Sequence, residues 1–212
     1  MKITEIRFPC GELSLEGILN VPEGEGPFPA VIVCHPHPLY GGSMDNNVVY
    51  SLAGALVLVS LISFKFNFRG VGESQGQFGR GIGEQEDVGA AISFVSGLPE
   101  VDSAKLGLVG YSAGAGFAFP AGVRDARIKA LAAVSPPLSM FDFESLKDCL
   151  KPKLLISGDG DDFTPASQFF EFCRNLPEPK ECLGISGADH FWRGYESELA
   201  DKVAEFFTRA LA

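Results

Sequence analysis

Six short runs of this chain are dominated by apolar residues: "AVIVCH", "LISFKFNF", "KLGLVG", "IKALAAVS", "KLLISG" and "ECLGIS". A strand with one wet face alternates apolar and polar positions, whereas a nearly continuous apolar run suits a strand covered on both faces. Between the runs lie stretches with helical periodicity, at about 44–58, 84–97, 113–119, 139–149, 164–176 and 195–211. In the last of these, Leu199, Val203, Phe206, Phe207 and Leu211 share one helix face. Strand alternating with helix predicts an α/β fold built on a mostly parallel sheet. Ahead of the six runs, "ITEIRF" and "ELSLEGILNV" alternate like two paired strands, with a Pro/Gly connection from Pro22 to Pro29.

With 212 residues, 46% of them hydrophobic, the chain can bury one sizeable core, and residues 1–212 are expected to form a single domain. The net charge is −10 and no Lys/Arg run occurs, which argues against nucleic acid as a partner. The acidity reads as a solubility feature. Residues 48–64 carry no charge, but the stretch is short for a membrane span and includes Ser51, Gly54, Ser60 and Ser63. From Phe64 to Phe68 it changes to a period of two, so a buried helix running into a buried strand is expected.

Five cysteines, an odd number with no C-x-x-C spacing, fit reduced thiols better than a disulfide framework. The first residues lack the apolar core of a signal peptide, so a cytoplasmic location is expected. Cys34 adjoins His35, but neighbours in a strand point to opposite faces, and Cys34 reads as core filler.

The spacing G-x-S-x-G occurs twice, around Ser74 and around Ser112. Ser112 follows "KLGLVG" directly and precedes the small-residue stretch "AGAGFAF". That is the strand–turn–helix context in which a sharp turn presents a serine hydroxyl. Ser74 is followed instead by "GQFGRGIGEQ", whose glycines cannot hold a nucleophile rigidly, and it reads as a loop residue. A reactive serine needs a base and the base an orienting carboxylate. His190, in "SGADHFW" after the last apolar run, is placed at the strand-end edge where ligands bind in such sheets. "ISGDGDDFTP" offers Asp159, Asp161 and Asp162, among which spacing alone does not choose. The two that are not used should be solvated or capping, and Asp162 is placed to cap a helix starting near Pro165. An oxyanion needs two backbone N–H donors. Ala113, after the serine, supplies one, and the loop "HPHPLYGG" the other, from His37 or Leu39, because Pro36 and Pro38 have no N–H.

Taken together and in this order, "HPHPLYGGSMDN", "FNFRGVGES", "GYSAG", "GDGDDFTP" and "GADHF" resemble the α/β-hydrolase superfamily. More narrowly, the chain is similar to its small, cap-less bacterial and archaeal serine hydrolases, usually described as carboxylesterases. The resemblance runs from about residue 12 to the C-terminus and implies an eight-stranded, mostly parallel sheet flanked by helices, with the second strand antiparallel. It makes Ser112 the nucleophile and His190 the base. It selects Asp161, four residues before Pro165, as the acid, and the His37 and Ala113 backbone N–H groups as the oxyanion hole. It implies hydrolysis of a small-molecule ester, with thioesters, lactones or peptides as alternatives for the same residues and a non-catalytic binding protein as the rival of another class.

Some departures bear on this. Dienelactone hydrolases share the organisation but carry cysteine at the elbow, and haloalkane dehalogenases carry aspartate, which argues against both. Pro120 should leave the helix after Ser112 short or kinked. About 18 residues separate "AAVS" from "KLLIS", too few for a substantial lid. An open pocket suited to short acyl chains follows, with Tyr40, Phe163, Phe191 and Trp192 as candidate lining residues against the alternative of core packing. Neither H-E-x-x-H nor a phosphate-binding P-loop occurs, so no metal or cofactor is expected.

Overall fold

The computed structural model describes residues 1–212. Strands β1 (Lys2–Cys10) and β2 (Leu13–Val21) form an antiparallel pair, register Cys10 to Leu13, turning at Gly11, whose φ of 58° suits glycine. The apolar runs become β3 (Phe28–Cys34), β4 (Ile62–Phe66), β5 (Val101–Tyr111), β6 (Ile128–Val134), β7 (Lys153–Gly158) and β8 (Lys180–Ile185). They join one eight-stranded sheet of order β1-β2-β4-β3-β5-β6-β7-β8. Both antiparallel pairings are made by β2; the other five are parallel.

Five helices cover the two faces. On one side, α1 (Asn47–Leu58) and α5 (Glu196–Ala210) pack Val48, Leu52, Leu56, Val203 and Phe207 onto Val31, Val33 and Val109 of the central strands. On the other, α2 (Ile82–Ser96), α3 (Ala113–Arg124) and α4 (Ala166–Arg174) cover Ile32, Cys34, Phe64 and Leu108. Alternate residues of β3 thus enter opposite cores, which explains why its run is apolar throughout. Cys34 is fully buried, as core filler should be. Residues 48–64 form the helix-into-strand expected of them, and no helix is long and apolar enough to cross a membrane.

Three expectations need correcting. The helix expected at 139–149 is only a short 3-10 turn at Glu144–Leu146. Phe141 packs on Phe117 and Phe143 on Phe119, ring centroids 5.2 and 6.0 Å apart, so residues two apart both face α3, a spacing a helix cannot satisfy. The helix after Ser112 is not short: it continues four residues past Pro120 to Arg124. Residue 116, whose carbonyl a proline at 120 crowds, is a glycine packed closely beneath Phe141. Asp162 does not cap α4, which has Pro165 at its N-cap and no side-chain cap. The 18-residue connection from β6 to β7 carries no lid.

Candidate active site

The parallel strands end together, and the loops beyond their carboxyl ends build the site. Ser112 sits between β5 and α3 with φ 54° and ψ −126°, a conformation of roughly 1–3 kcal/mol strain for a residue with a side chain. Two hydrogen bonds hold it there: its N–H donates to Val134 O (2.8 Å), and its carbonyl accepts from Ala115 N–H (2.9 Å). The turn is so tight that a β-carbon at Gly110 would strike the Ala115 backbone, and one at Gly114 the carbonyls of Cys34 and His35. The two glycines of G-x-S-x-G are therefore steric necessities.

The Ser112 hydroxyl lies 3.0 Å from His190 Nε2. On the far side of the ring, Nδ1 is 3.0 and 2.9 Å from the two carboxylate oxygens of Asp161. With the ring proton on Nδ1 facing this carboxylate, Nε2 is left as the acceptor for the serine proton. Asp161 is buried and also accepts from Phe163 N–H (2.9 Å), Thr164 N–H (3.3 Å) and the Ser157 hydroxyl (3.3 Å). Burial by itself would raise its pKa; the hydrogen bond and charge of His190 oppose this, and the carboxyl is held below the ordinary range. Of the other two aspartates, Asp159 binds Ser186 Oγ and Gly187 N–H, bracing the loop after β8, and Asp162 is exposed.

Ser74 is accounted for elsewhere. Its hydroxyl, buried, donates to Asn67 O (2.7 Å) and accepts from Glu16 N–H (3.0 Å), tying the glycine loop to β2.

Beside Ser112 the loop after β3 folds over the site. The Leu39 N–H donates to His37 Nδ1 (3.2 Å), whereas the His37 N–H has no partner within the protein. Ala113, the first residue of α3, has no intrahelical acceptor for its N–H. His35 anchors the base of this loop. It is fully buried, its Nδ1 donating to Pro36 O (2.6 Å) and its Nε2 accepting from Phe68 N–H (3.1 Å). Burial pushes its pKa down to about 4, so the ring is neutral.

Ser112, Ala113, His37 and His190 line one cavity of about 500 Å³ together with Tyr40, Met140, Phe141, Phe163 and Phe191. Trp192 lies outside it: wholly buried beneath the His190 loop, it donates its indole N–H to Ser135 Oγ at 3.0 Å. The remaining three aromatic candidates do line the cavity, and Phe163 lies against the His190 ring, centroids 4.3 Å apart.

Sequence reasoning missed three supports. The Tyr111 hydroxyl donates to His190 O (2.8 Å), joining the residue before Ser112 to the backbone of the histidine. Ser157 braces Asp161, and Met140 and Phe141 wall the cavity. Tyr111 occupies the unspecified position of G-x-S-x-G, so no pattern pointed to it.

Comparison with known proteins agrees with this architecture. The dienelactone hydrolase family profile matches residues 70–190. An uncharacterised protein of Rickettsia prowazekii is 34% identical over 186 residues, 84% of this chain and 78% of that protein. Among solved structures, an alpha-beta serine hydrolase homologue from Coxiella burnetii is 35% identical with a TM-score of 0.87, covering 97% of each chain. A serine hydrolase without a lid from Xanthomonas campestris is 28% identical with a TM-score of 0.86, covering 100% of this chain and 96% of that one. The cysteine elbow expected of dienelactone hydrolases had argued against them; the match, which spans Ser112, corrects this. The sheet order, the missing lid and these matches together mean that the chain belongs to the dienelactone hydrolase family of the α/β-hydrolase superfamily.

Proposed function

We propose that this protein is a serine hydrolase that cleaves carboxylic esters, with a preference for short acyl chains. The observation that carries the reading is the continuous line of hydrogen bonds from Ser112 through His190 to Asp161, three residues from distant parts of the chain. In this mechanism His190 Nε2 takes the hydroxyl proton as Ser112 Oγ attacks the ester carbonyl carbon. Asp161 stabilises the imidazolium that forms. The carbonyl oxygen becomes an oxyanion held by the N–H groups of His37 and Ala113, each donor worth roughly 3–4 kcal/mol of barrier. Leu39 is the weaker candidate because its N–H is already given to the His37 ring. The tetrahedral intermediate collapses, the C–O bond breaks, and His190 returns its proton to the leaving alcohol. Water, deprotonated by His190, then attacks the acyl-serine and releases the acid.

The lidless cavity of about 500 Å³, walled by Tyr40, Phe141, Phe163 and Phe191, supports a preference for small acyl groups. The family match supports lactones as a second substrate class, since their ring C–O bond is cleaved by the same steps. A fluorophosphonate should label Ser112 in the folded protein, and a panel of nitrophenyl esters, thioesters and lactones should show turnover that falls as the acyl chain lengthens. No adduct on Ser112 would favour a non-catalytic binding protein instead. A maximum at long acyl chains would overturn the size preference.

A further inference from the structure

Asn46 lines the cavity that holds Ser112 and His190, and one of its hydrogen-bonding groups is left over. Its backbone N–H donates to Ser43 O (3.1 Å) and its carbonyl accepts from Tyr50 N–H (2.9 Å). Its side-chain Oδ1 caps α1 by accepting from Val48 N–H (2.9 Å). With Oδ1 spent on the helix the amide cannot flip, and Nδ2 donates to nothing in the protein. Two other polar groups in this cavity are already committed, the Tyr111 hydroxyl to His190 O and the His37 Nδ1 to Leu39 N–H. The segment that carries Asn46 is held firmly. Met44 N–H donates to Asn67 Oδ1 (2.7 Å), and the buried Lys65 ammonium donates to Met44 O (3.0 Å) and Asp45 Oδ1 (3.2 Å). Burying a lysine is costly unless its donors are used, and here they are used on the two residues before Asn46. The residue after it, Asn47, donates through Nδ2 to Phe191 O (3.2 Å) and Glu196 Oε1 (2.9 Å). Asn46 is thus pinned from both sides, and one of the pins is the loop that bears His190.

We propose that Asn46 is a specificity-determining residue whose Nδ2 donates to a second oxygen on the leaving alcohol, a neutral ether, hydroxyl or carbonyl oxygen a few bonds from the ester that is cleaved. His190 returns its proton to the leaving oxygen, so the departing alcohol lies on the histidine side of Ser112. The bond from Asn47 to Phe191 O places Asn46 on that same side of the cavity. A donor already fixed by its surroundings loses little freedom when substrate binds. An alcohol made only of hydrocarbon strips water from the amide and gives it no partner, and that penalty separates two substrates of the same shape. The proposal rests on the ester-hydrolase reading above and adds to it the kind of alcohol the substrate carries.

The test compares butyrate esters in isosteric pairs, 2-methoxyethyl against n-butyl and 3-methoxypropyl against n-pentyl. Each rate is divided by that ester's own rate in hydroxide, which removes the intrinsic effect of the oxygen. The expected result is a kcat/KM about tenfold higher for a methoxy ester than for its hydrocarbon partner in at least one pair. Asn46→Ser and Asn46→Asp both keep a good helix cap while losing the amide donor, and thermal melts show whether each is folded. In Asn46→Ser the ratio within that pair should fall to about one. In Asn46→Asp, where an acceptor would face an acceptor, it should fall further. Equal rates within both pairs in the unsubstituted protein would overturn the proposal while leaving the hydrolase reading intact. So would a preference that survives in both variants. Absence of turnover on every ester would overturn both.

Discussion

Two serines share one spacing, and their surroundings give them opposite duties. Ser74 spends its hydroxyl on Asn67 O and Glu16 N–H, with no base in reach, whereas Ser112 points its hydroxyl at His190 Nε2 from a strained turn. Ser74→Ala should therefore cost roughly 1–3 kcal/mol in a urea melt, because two buried backbone groups lose their partner, while fluorophosphonate labelling persists. Ser112→Ala should do the reverse, with stability kept or raised as strain is relieved and turnover reduced about 10⁴-fold or more. If Ser74→Ala eliminated turnover in a protein that still melted cooperatively, the assignment would be wrong. Asp161→Asn should lower kcat by about 10³–10⁴-fold, since an amide cannot stabilise the imidazolium. The same discrimination was available from residues alone: glycine density after Ser74 and the apolar strand before Ser112 separated them. Among the three aspartates spacing alone did not discriminate, and only the family resemblance pointed to Asp161, because which carboxylate turns inward from "GDGDDF" depends on how the loop after β7 folds over Ser157.

At the level of elements, the turn from β5 into α3 and the loop carrying His190 hold each other in place. Gly114 allows α3 to start against the backbone of the β3 end, so Gly114→Ala must push the helix off Cys34 and His35. Loss of labelling at Ser112 is expected, together with a fall in thermal midpoint; an unchanged midpoint would show that the turn has slack. Trp192 is the counterpart under the histidine loop. Trp192→Phe should cost only about 1 kcal/mol, the worth of the bond to Ser135, and Trp192→Ala about 3–5 kcal/mol for the void it leaves. Trp192 was legible in sequence only as an aromatic beside the histidine. Whether it faced pocket or core was settled by the fold, which buries the indole and gives its N–H to Ser135. The segment at 139–149 teaches the same lesson from the other side: its apolar residues mimicked a helix face, but Phe141 and Phe143 answer to α3, and their own local spacing yields to that contact.

For the whole molecule, His35 couples the sheet core, the loop bearing His37 and the turn at Phe68. Its folded pKa of about 4 lies below the ordinary 6.5, so the unfolded chain binds its proton first. The stability this group contributes is complete above pH 6.5 and is lost as pH falls through 4, about 3 kcal/mol across the window. Denaturant melts from pH 7 to 4 should show a steeper decline for the unsubstituted protein than for His35→Gln, which has no such proton to bind; parallel curves would remove His35 from the acid response. The sequence by itself determined the eight strands, the order in which helix follows strand, the absence of room for a lid and the placement of Ser112 and His190 beyond strand ends. These follow from short-range physics: apolar periodicity, glycine where no β-carbon fits, and the number of residues available between elements. Tertiary structure alone decided that Trp192 lies in the core, that the Tyr111 hydroxyl ties down the backbone of His190, and that Phe141 and Phe143 both turn toward α3. Those outcomes depend on contacts between residues far apart in the chain, and no local pattern encodes the distance between them.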